Sequence, residues 1–368
     1  MIVAVSFSEG FENKTAESIR RWLAKDIPKE IGKVCITVEM AARSNSTVIV
    51  LTMPIALWMA LSAHPALRPC GVVTEPHLAA VVQPVLTIQK SMRRWKAMRL
   101  YKGDKTDINA LQTASERRDI VAVQTLLDAG AEVNAQGGYY GNALQAASQT
   151  RDIRVVGILL DAGAEVNAQG GYYGNALQAA SQTGDIRVVG MLLDAGAEVN
   201  AQGGYYGNAL QAASQIADIR VVGMLLQAGV EVNAQGGYYG SALQAASYRS
   251  DIRVVGMLLE AGAVVNAQGG YYGNALQAAS CGNDRRVVST LLRVGAEVNA
   301  QGGYYSNALQ AASASGHDEA VELLLAKGAD VNAQGGYYGN ALQAALASGH
   351  EKIVEILLGK GANQKGSI

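Results

Sequence analysis

The sequence is poor in phenylalanine, tryptophan, proline and cysteine. Its 368 residues include 2 Phe, 3 Trp, 6 Pro and 3 Cys, against 16 Tyr and 42 Gly. Ordinary hydrophobic cores use Phe about as freely as Tyr, so this imbalance argues against a conventional enzyme core. An excess of Tyr together with Gly indicates instead one short sequence that is copied many times.

The cysteines form no recognisable pattern. Cys35, Cys70 and Cys281 are widely spaced and include no Cys-x-x-Cys pair, which predicts reduced thiols in an intracellular protein. The first residues are apolar without a preceding basic segment, so we expect no secretory signal peptide. We therefore predict a cytoplasmic protein, with membrane association as the alternative.

A repeat of 33 residues fills most of the chain. The string Gly-Gly-Tyr-Tyr occurs seven times at this interval, and the same register extended backward reaches Ala110, which predicts an eighth, degenerate copy. The predicted repeats are 104–136, 137–169, 170–202, 203–235, 236–268, 269–301, 302–334 and 335–367.

Local signals place two helices and a loop in each copy, as in residues 170–202. Asn175 can cap a first helix of small residues, and Asp185 can cap a second, more apolar helix. Gly196 provides a left-handed stop, and Gly203 and Gly204 predict a tight turn at the tip of a finger-like loop.

This unit resembles the ankyrin repeat, a finger loop followed by two antiparallel helices, over residues 104–368. The resemblance implies a mainly α fold, a solenoid of about eight units. Where the family has Thr-Pro-Leu-His, residues 142–145 read Asn-Ala-Leu-Gln, and we expect Gln145 to donate a hydrogen bond where histidine would. The family's turn glycine would fall at Tyr140, so we expect the turn at Gly137 and Gly138. The amino-acid sequence of the repeat is similar to that of the ankyrin arrays of filamentous fungi that accompany NLR-like signalling proteins.

Residues 1–103 have a different composition and no recognised family. They hold all 6 Pro, all 3 Trp and both Phe, and their 14 basic and 7 acidic residues give a net charge of +7. Residues 104–368 hold 16 basic and 24 acidic residues, a net charge of −8. We predict a small mixed α/β or partly membrane-associated region, with strands at 2–7 and 34–38 and a helix at 14–24.

Two segments of this first region suggest contact with a membrane. Residues 44–67 carry no charge and are long enough for one membrane span, although a buried strand followed by a buried helix explains them equally. Residues 90–102 predict an amphipathic linker helix that either binds an anionic surface or packs on the first repeat. Its basic residues are Lys90, Arg93, Arg94, Lys96, Arg99 and Lys102.

No set of residues predicts catalysis, a metal site or a cofactor. Asn13 stands before Lys14, where a phosphate-binding loop needs glycine, and no second histidine follows His350 at metal-binding spacing. His317 and His350 are expected to be capping or loop residues. Rows of aspartate and arginine recur at each second helix, which we interpret as helix caps and a solvated face. The acidic net charge of the repeats disfavours nucleic acid.

The remaining prediction is a non-catalytic, monomeric array that binds another protein through its tyrosine-rich fingers. At about 10 Å per repeat, the spacing of packed helices, seven tyrosine pairs would extend over roughly 60 Å. We expect one tyrosine of each pair to point inward and one outward. The candidate residues are Tyr139, Tyr140, Tyr172, Tyr173, Tyr205, Tyr206, Tyr238, Tyr239, Tyr271, Tyr272, Tyr304, Tyr305, Tyr337 and Tyr338.

Two alternatives stay open. The first is a sensor or effector of NLR-like type, or a membrane-tethered protein, in which residues 1–103 act and the array is the recognition arm. The second concerns the role of the turn between the helices, as in residues 149–151 and 248–250, where the copies differ most. These positions either determine the specificity for a binding partner or simply tolerate sequence drift.

Overall fold

A computed structural model describes residues 2–5, 37–43, 46–52, 110–282 and 284–363. The helices predicted at 14–24 and 90–102, with the six basic residues of the latter, lie outside these ranges. So do residues 53–67 of the uncharged segment.

Three strands form an antiparallel sheet in the first region. They are β1 (Ile2–Val5), β2 (Thr37–Arg43) and β3 (Ser46–Thr52), and β3 lies between the other two. The strand predicted at 34–38 is observed from Thr37 onward. Residues 46–52 of the uncharged segment therefore form a strand, as their β-branched residues favour. Among the described residues, no helix has the length and apolar character that crossing a membrane requires.

Residues 110–363 form sixteen helices in eight consecutive pairs. The pairs are α1 (Ala110–Glu116) and α2 (Ile120–Asp128); α3 (Ala143–Thr150) and α4 (Ile153–Asp161); α5 (Ala176–Thr183) and α6 (Ile186–Asp194); α7 (Ala209–Ile216) and α8 (Ile219–Gln227); α9 (Ala242–Arg249) and α10 (Ile252–Glu260); α11 (Ala275–Cys281) and α12 (Arg285–Arg293); α13 (Ala308–Ser315) and α14 (Asp318–Ala326); α15 (Ala341–Ala347) and α16 (Glu351–Gly359).

The predicted caps begin the helices. The side chain of Asn175 accepts a hydrogen bond from the Gln178 amide at 2.8 Å, and Asp185 accepts one from the Arg187 amide at 3.0 Å. These bonds satisfy amide groups that have no partner within the helix. Gly184 and Gly196 adopt left-handed conformations with φ of 76° and 86°, as expected where a helix ends.

The two histidines at helix starts do not cap. The Nε2 atom of His317 lies 3.1 Å from the carbonyl oxygen of Cys281, and that of His350 lies 3.2 Å from that of Ala314. Each imidazole thus reaches back to the preceding repeat, so of the two expected roles, capping or loop residue, these histidines have the second. Acidic residues in the first turns of α14 and α16 complement the helix dipole in place of a cap.

The hydrophobic core lies between successive first helices. In α5, every residue from Ala176 to Ser181 is buried, whereas α6 buries only Val188, Val189 and Leu192. Alanine side chains let neighbouring first helices approach closely, and these helices contact one another far more than the second helices do. The repeats are therefore packed more tightly along the first helices than along the second.

Four glycines inside second helices predict a gain in stability on replacement. A Cβ atom at Gly157 or Gly256 meets nothing within 4 Å, and at Gly190 or Gly223 it meets only a methionine methyl group at 3.8 or 3.6 Å. Glycine costs a helix up to about 1 kcal/mol relative to alanine. Replacing all four by alanine should raise the thermal midpoint by several degrees, measured by circular dichroism. The control Gly196→Ala, at φ of 86°, should lower it; an unchanged midpoint for the fourfold variant contradicts the prediction.

Candidate interaction surface

Each finger ends in a five-residue turn that glycine makes possible. In repeat 203–235, the Gly203 amide donates a hydrogen bond to the Gly207 carbonyl at 2.9 Å, closing the turn around Tyr205 and Tyr206. Gly203 and Gly204 have φ of 146° and 62°, which other residues adopt at a cost. The turn is located at the Gly-Gly pair, as expected.

Successive fingers contact each other through their backbones. The Tyr205 amide donates to the Tyr172 carbonyl at 2.8 Å, and the equivalent bond joins every neighbouring finger from Tyr139 to Tyr337 at 2.8 to 3.0 Å. A Cβ atom on Gly204 would collide with the carbonyl carbon of Tyr173. Glycine is thus required here for close approach as well as for conformation.

The tyrosine rings form two columns. The outer column contains the first tyrosine of each pair, and its neighbouring rings are 4.9 to 5.1 Å apart with planes inclined by 15 to 19° at all six steps. The inner column contains the second tyrosine, and four of its neighbouring pairs are stacked with rings 6.1 to 6.4 Å apart. Within a pair the rings meet edge to face. Both arrangements are favourable for aromatic rings.

The inner column is the buried one. Tyr173, Tyr206, Tyr239 and Tyr272 are 5 to 7% exposed, whereas the central outer rings are half-buried. Tyr139 and Tyr337, at the two ends of the outer column, are 58% and 70% exposed. The ring faces of the outer column are therefore covered by neighbouring rings, and its ring edges face solvent. The hydroxyl groups of Tyr172 and Tyr238 are hydrogen-bonded to the inner Tyr206 and Tyr272.

The expected spacing of the fingers is wrong by a factor of two. The outer rings step by about 5 Å and not 10 Å, so the seven rungs extend over about 30 Å. The step is set by the backbone hydrogen bond between fingers, which has the dimensions of neighbouring β-strands, and not by helix packing.

The most variable part of the repeat faces the inner column. In five repeats the last or next-to-last residue of the first helix contacts the inner tyrosine of the following repeat, and we call this residue the variable position. Glu116 accepts a hydrogen bond from the Tyr140 hydroxyl at 3.1 Å. The Tyr248 ring stacks on Tyr272 at 4.8 Å. The other hydrogen-bonded pairs are Gln149 with Tyr173, Gln215 with Tyr239, and Cys281 with Tyr305.

Burial keeps the groups of this surface protonated. Desolvation, followed by repulsion from the neighbouring Tyr139 and Tyr172, raises the pKa of Tyr173 to about 12. Desolvation likewise raises the pKa of the Cys281 thiol to about 12, so this cysteine is not a reactive thiolate at neutral pH. Apart from the carboxylate of Glu116, the surface is therefore uncharged and rich in hydrogen-bonding groups.

The charged rows belong to the helix starts. The carboxylates of Asp152, Asp185, Asp218, Asp251 and Asp284 each cap a helix and pair with the arginine two residues later at 2.7 to 3.3 Å. These arginines form the row that the sequence predicts as a solvated face, and the charge of each one is neutralised by its neighbouring aspartate. The described residues contain no group of His, Cys, Asp and Glu that could hold a metal ion.

Two amide side chains join each repeat to the next. Gln145 donates to the Ala168 carbonyl at 3.0 Å at the end of its own repeat and to the Gly174 carbonyl of the next finger at 3.4 Å, the donor role expected for it. Asn200 accepts a hydrogen bond from the Glu231 amide at 2.7 Å and donates to the Gly229 carbonyl, and six other asparagines at this register do the same. Sequence reasoning missed this asparagine, although its recurrence before every finger was the available signal.

Parts of the array match known families and structures. Residues 275–366 match the family model described as ankyrin repeats (3 copies), and residues 175–204 match that of the ankyrin repeat. The chain is similar to the crystal structure of the human ASB11 ankyrin repeat domain, with a TM-score of 0.50 and 24% identity, over 59% of this chain and 96% of that one. At this level of sequence identity, the structural similarity shows the fold alone, which is a mainly helical solenoid of ankyrin repeats.

The narrower resemblance is not supported. No curated protein matches the sequence, so nothing favours the arrays of filamentous fungi or NLR-like proteins over other ankyrin proteins. Residues 1–103 match none of these family models.

Close contact between fingers predicts a difference between two glycines. Gly196 and Gly204 both have positive φ, but a Cβ atom meets nothing within 4 Å at Gly196 and collides with backbone at Gly204. Gly204→Ala should therefore cost about 1 to 3 kcal/mol more than Gly196→Ala. Urea unfolding of the two variants measures the difference; equal losses would show that the fingers do not rely on this contact.

Burial of the inner column predicts sensitivity to alkali. An unfolded tyrosine ionises near pH 10, whereas Tyr140 and Tyr173 keep their protons to about pH 12. Between these values the unfolded state binds fewer protons, so the free energy of unfolding falls as pH rises, and below pH 10 it is unaffected. Thermal midpoints from pH 8 to pH 12 measure the fall. Tyr173→Phe should make it shallower, and an unchanged slope would contradict the assignment.

Proposed function

We propose that the array binds another protein through its outer tyrosine column and the adjacent variable positions. The observation that carries this proposal is the outer column itself, seven half-exposed tyrosines held at a fixed step by hydrogen-bonded backbones. Tyrosine contributes large contact area and a hydrogen bond at low cost in conformational entropy, and repeat arrays bind through such extended rows.

The exposed groups determine the kind of contact. Because neighbouring rings cover one another's faces, a partner meets ring edges and phenol hydroxyl groups along the column. Only Tyr139 and Tyr337, at the ends, are more than half exposed. Recognition then depends on hydrogen bonds to the hydroxyl groups more than on aromatic stacking.

Charge supports a protein partner over nucleic acid. The finger tips from Gly137 to Gly141, and their equivalents in later repeats, contain no charged residue. Affinity for nucleic acid depends largely on basic groups near phosphates, and the arginines that follow the capping aspartates of five second helices are already paired with them.

Removing the outer hydroxyl groups should abolish binding without unfolding the array. In Tyr205→Phe/Tyr238→Phe/Tyr271→Phe the rings still stack, but three hydrogen-bonding groups are lost. At about 0.5 to 1.5 kcal/mol each, their loss weakens binding about 10-fold to 1000-fold. The measurement is calorimetric titration with a partner identified by proximity labelling, beside circular dichroism of the free variant.

The matched control removes buried hydroxyl groups instead. Tyr206→Phe/Tyr239→Phe/Tyr272→Phe changes the inner column in the same repeats, where the side chains are 5 to 7% exposed. Its binding should change less than threefold. Equal binding by the wild type and the outer variant, with the fold intact, would contradict the proposed surface.

A further inference from the structure

The outer column brings oxidisable side chains together in a regular stack. At every step from Tyr139 to Tyr337 the neighbouring rings are 4.9 to 5.1 Å apart, with planes inclined by 15 to 19°. Rings in van der Waals contact, with about 3.5 to 4 Å between their planes, are then offset sideways by about 3 to 4 Å. The edge of one ring therefore lies over the edge of the next.

The edge of a tyrosine ring contains the carbons at which oxidised tyrosines join. Loss of one electron and of the hydroxyl proton leaves a phenoxyl radical, whose unpaired electron is shared between the oxygen and the ring, including the two ortho carbons beside the hydroxyl-bearing carbon. Two such radicals form a carbon–carbon bond between their ortho carbons. Each of these carbons then passes its hydrogen, as a proton, to its phenol oxygen. The product, dityrosine, keeps both hydroxyl groups and has lost two hydrogen atoms in total.

We propose that the outer column is a site of oxidative modification, at which a haem peroxidase acting with hydrogen peroxide joins neighbouring outer tyrosines into dityrosine. One molecule of hydrogen peroxide takes up the two electrons and two protons that each crosslink releases, and becomes two molecules of water. Each crosslink staples two consecutive repeats, because the joined residues are 33 positions apart. This inference goes beyond the proposed function and does not depend on a partner.

Exposure favours the outer rings over the inner ones. Tyr139 and Tyr337, which are 58% and 70% exposed, are open to an oxidant at the two ends of the column, and the outer rings between them are half-buried. The inner rings of the central repeats are only 5 to 7% exposed, and their stacked neighbours are 6.1 to 6.4 Å apart. Inner tyrosines are therefore both shielded and too far apart to couple readily with one another.

Ring orientation disfavours coupling within a finger. The two tyrosines of each finger have planes inclined by 85 to 90°, so the edge of one ring meets the face of the other. Their ortho carbons are consequently not opposed. Among the described residues one further stacked pair is as close as the outer rings, Tyr248 on Tyr272 at 4.8 Å, and we expect it to couple as well.

The backbone holds neighbouring outer rings in position for coupling. The Tyr205 amide donates a hydrogen bond to the Tyr172 carbonyl at 2.8 Å, and Tyr238 is joined to Tyr205 in the same way. Two radicals on adjacent fingers meet without loss of translational freedom, whereas radicals on separate chains must first diffuse together. Crosslinks within one chain should therefore predominate in dilute solution.

Peptide mapping after oxidation tests this proposal. The full chain, at micromolar concentration, is treated with a haem peroxidase and hydrogen peroxide, and the monomer is isolated by size-exclusion chromatography. Trypsin then releases peptides 155–187, 188–220 and 221–249, which differ in sequence and each carry one finger. Mass spectrometry should find 188–220 joined to each of the other two, with two hydrogen atoms missing per bond. Fragment spectra should place the bonds at the outer tyrosines.

Tyr205→Phe and Tyr206→Phe are the matched variants. Both keep the aromatic ring, and circular dichroism checks that both keep the fold. Tyr205→Phe should lose both crosslinks of peptide 188–220, whereas Tyr206→Phe should retain them. Crosslinks of this peptide that persist in Tyr205→Phe, or that Tyr206→Phe abolishes, would overturn the proposal. So would an oxidised monomer without dityrosine, when the same oxidant couples N-acetyltyrosine in a parallel reaction.

The crosslinked monomer should also resist unfolding. A covalent link between residues 33 positions apart restricts the unfolded chain as a disulfide of the same span does. Each link should raise the urea midpoint by about 1 M, measured by circular dichroism on oxidised and untreated monomer. Equal midpoints in the presence of mapped crosslinks would show that they do not staple the repeats, and would overturn that part of the proposal.

Discussion

The close approach of neighbouring finger backbones is the constraint on which the array depends. One amide-to-carbonyl bond per finger, such as that from Tyr205 to Tyr172 at 2.8 Å, fixes a step of about 5 Å. That step admits only glycine at positions such as Gly204 and brings the tyrosine rings into stacking contact. Turn chemistry and ring columns therefore have one cause.

Each junction between repeats adds separate interactions to this backbone bond. Gln145 reaches the next finger, Asn200 holds the next loop, and first helices such as α5 and α7 pack through alanine and leucine. In a solenoid, stability is the sum of such neighbour terms and of the stability of each repeat. The second helices contribute less, since they contact one another little and four of them contain glycine. The array is thus held together mainly along its fingers and first helices, beside the candidate surface.

The sequence predicted what is local and missed what depends on the relation between repeats. Caps at Asn175 and Asp185, stops at Gly184 and Gly196, and the Gly-Gly turn follow from single residue types with known backbone preferences. The finger step did not follow, because helix packing was assumed to set it. Nor could periodicity distinguish inner from outer tyrosines, since the two are adjacent within one turn. His317 and His350 suggested caps by position, but an imidazole can also reach a carbonyl of the preceding repeat.

Stability and the proposed recognition surface share the same residues here, and this limits how the surface can vary. A ring lost from the middle of the outer column removes stacking with both neighbouring repeats, so these tyrosines cannot readily be replaced. The residue type at the variable position is not constrained in this way. Its members include Glu116, Gln149, Tyr248 and Cys281, and each contacts the next inner tyrosine differently. Substitutions are therefore tolerated best at this position, beside a fixed row of aromatic rings.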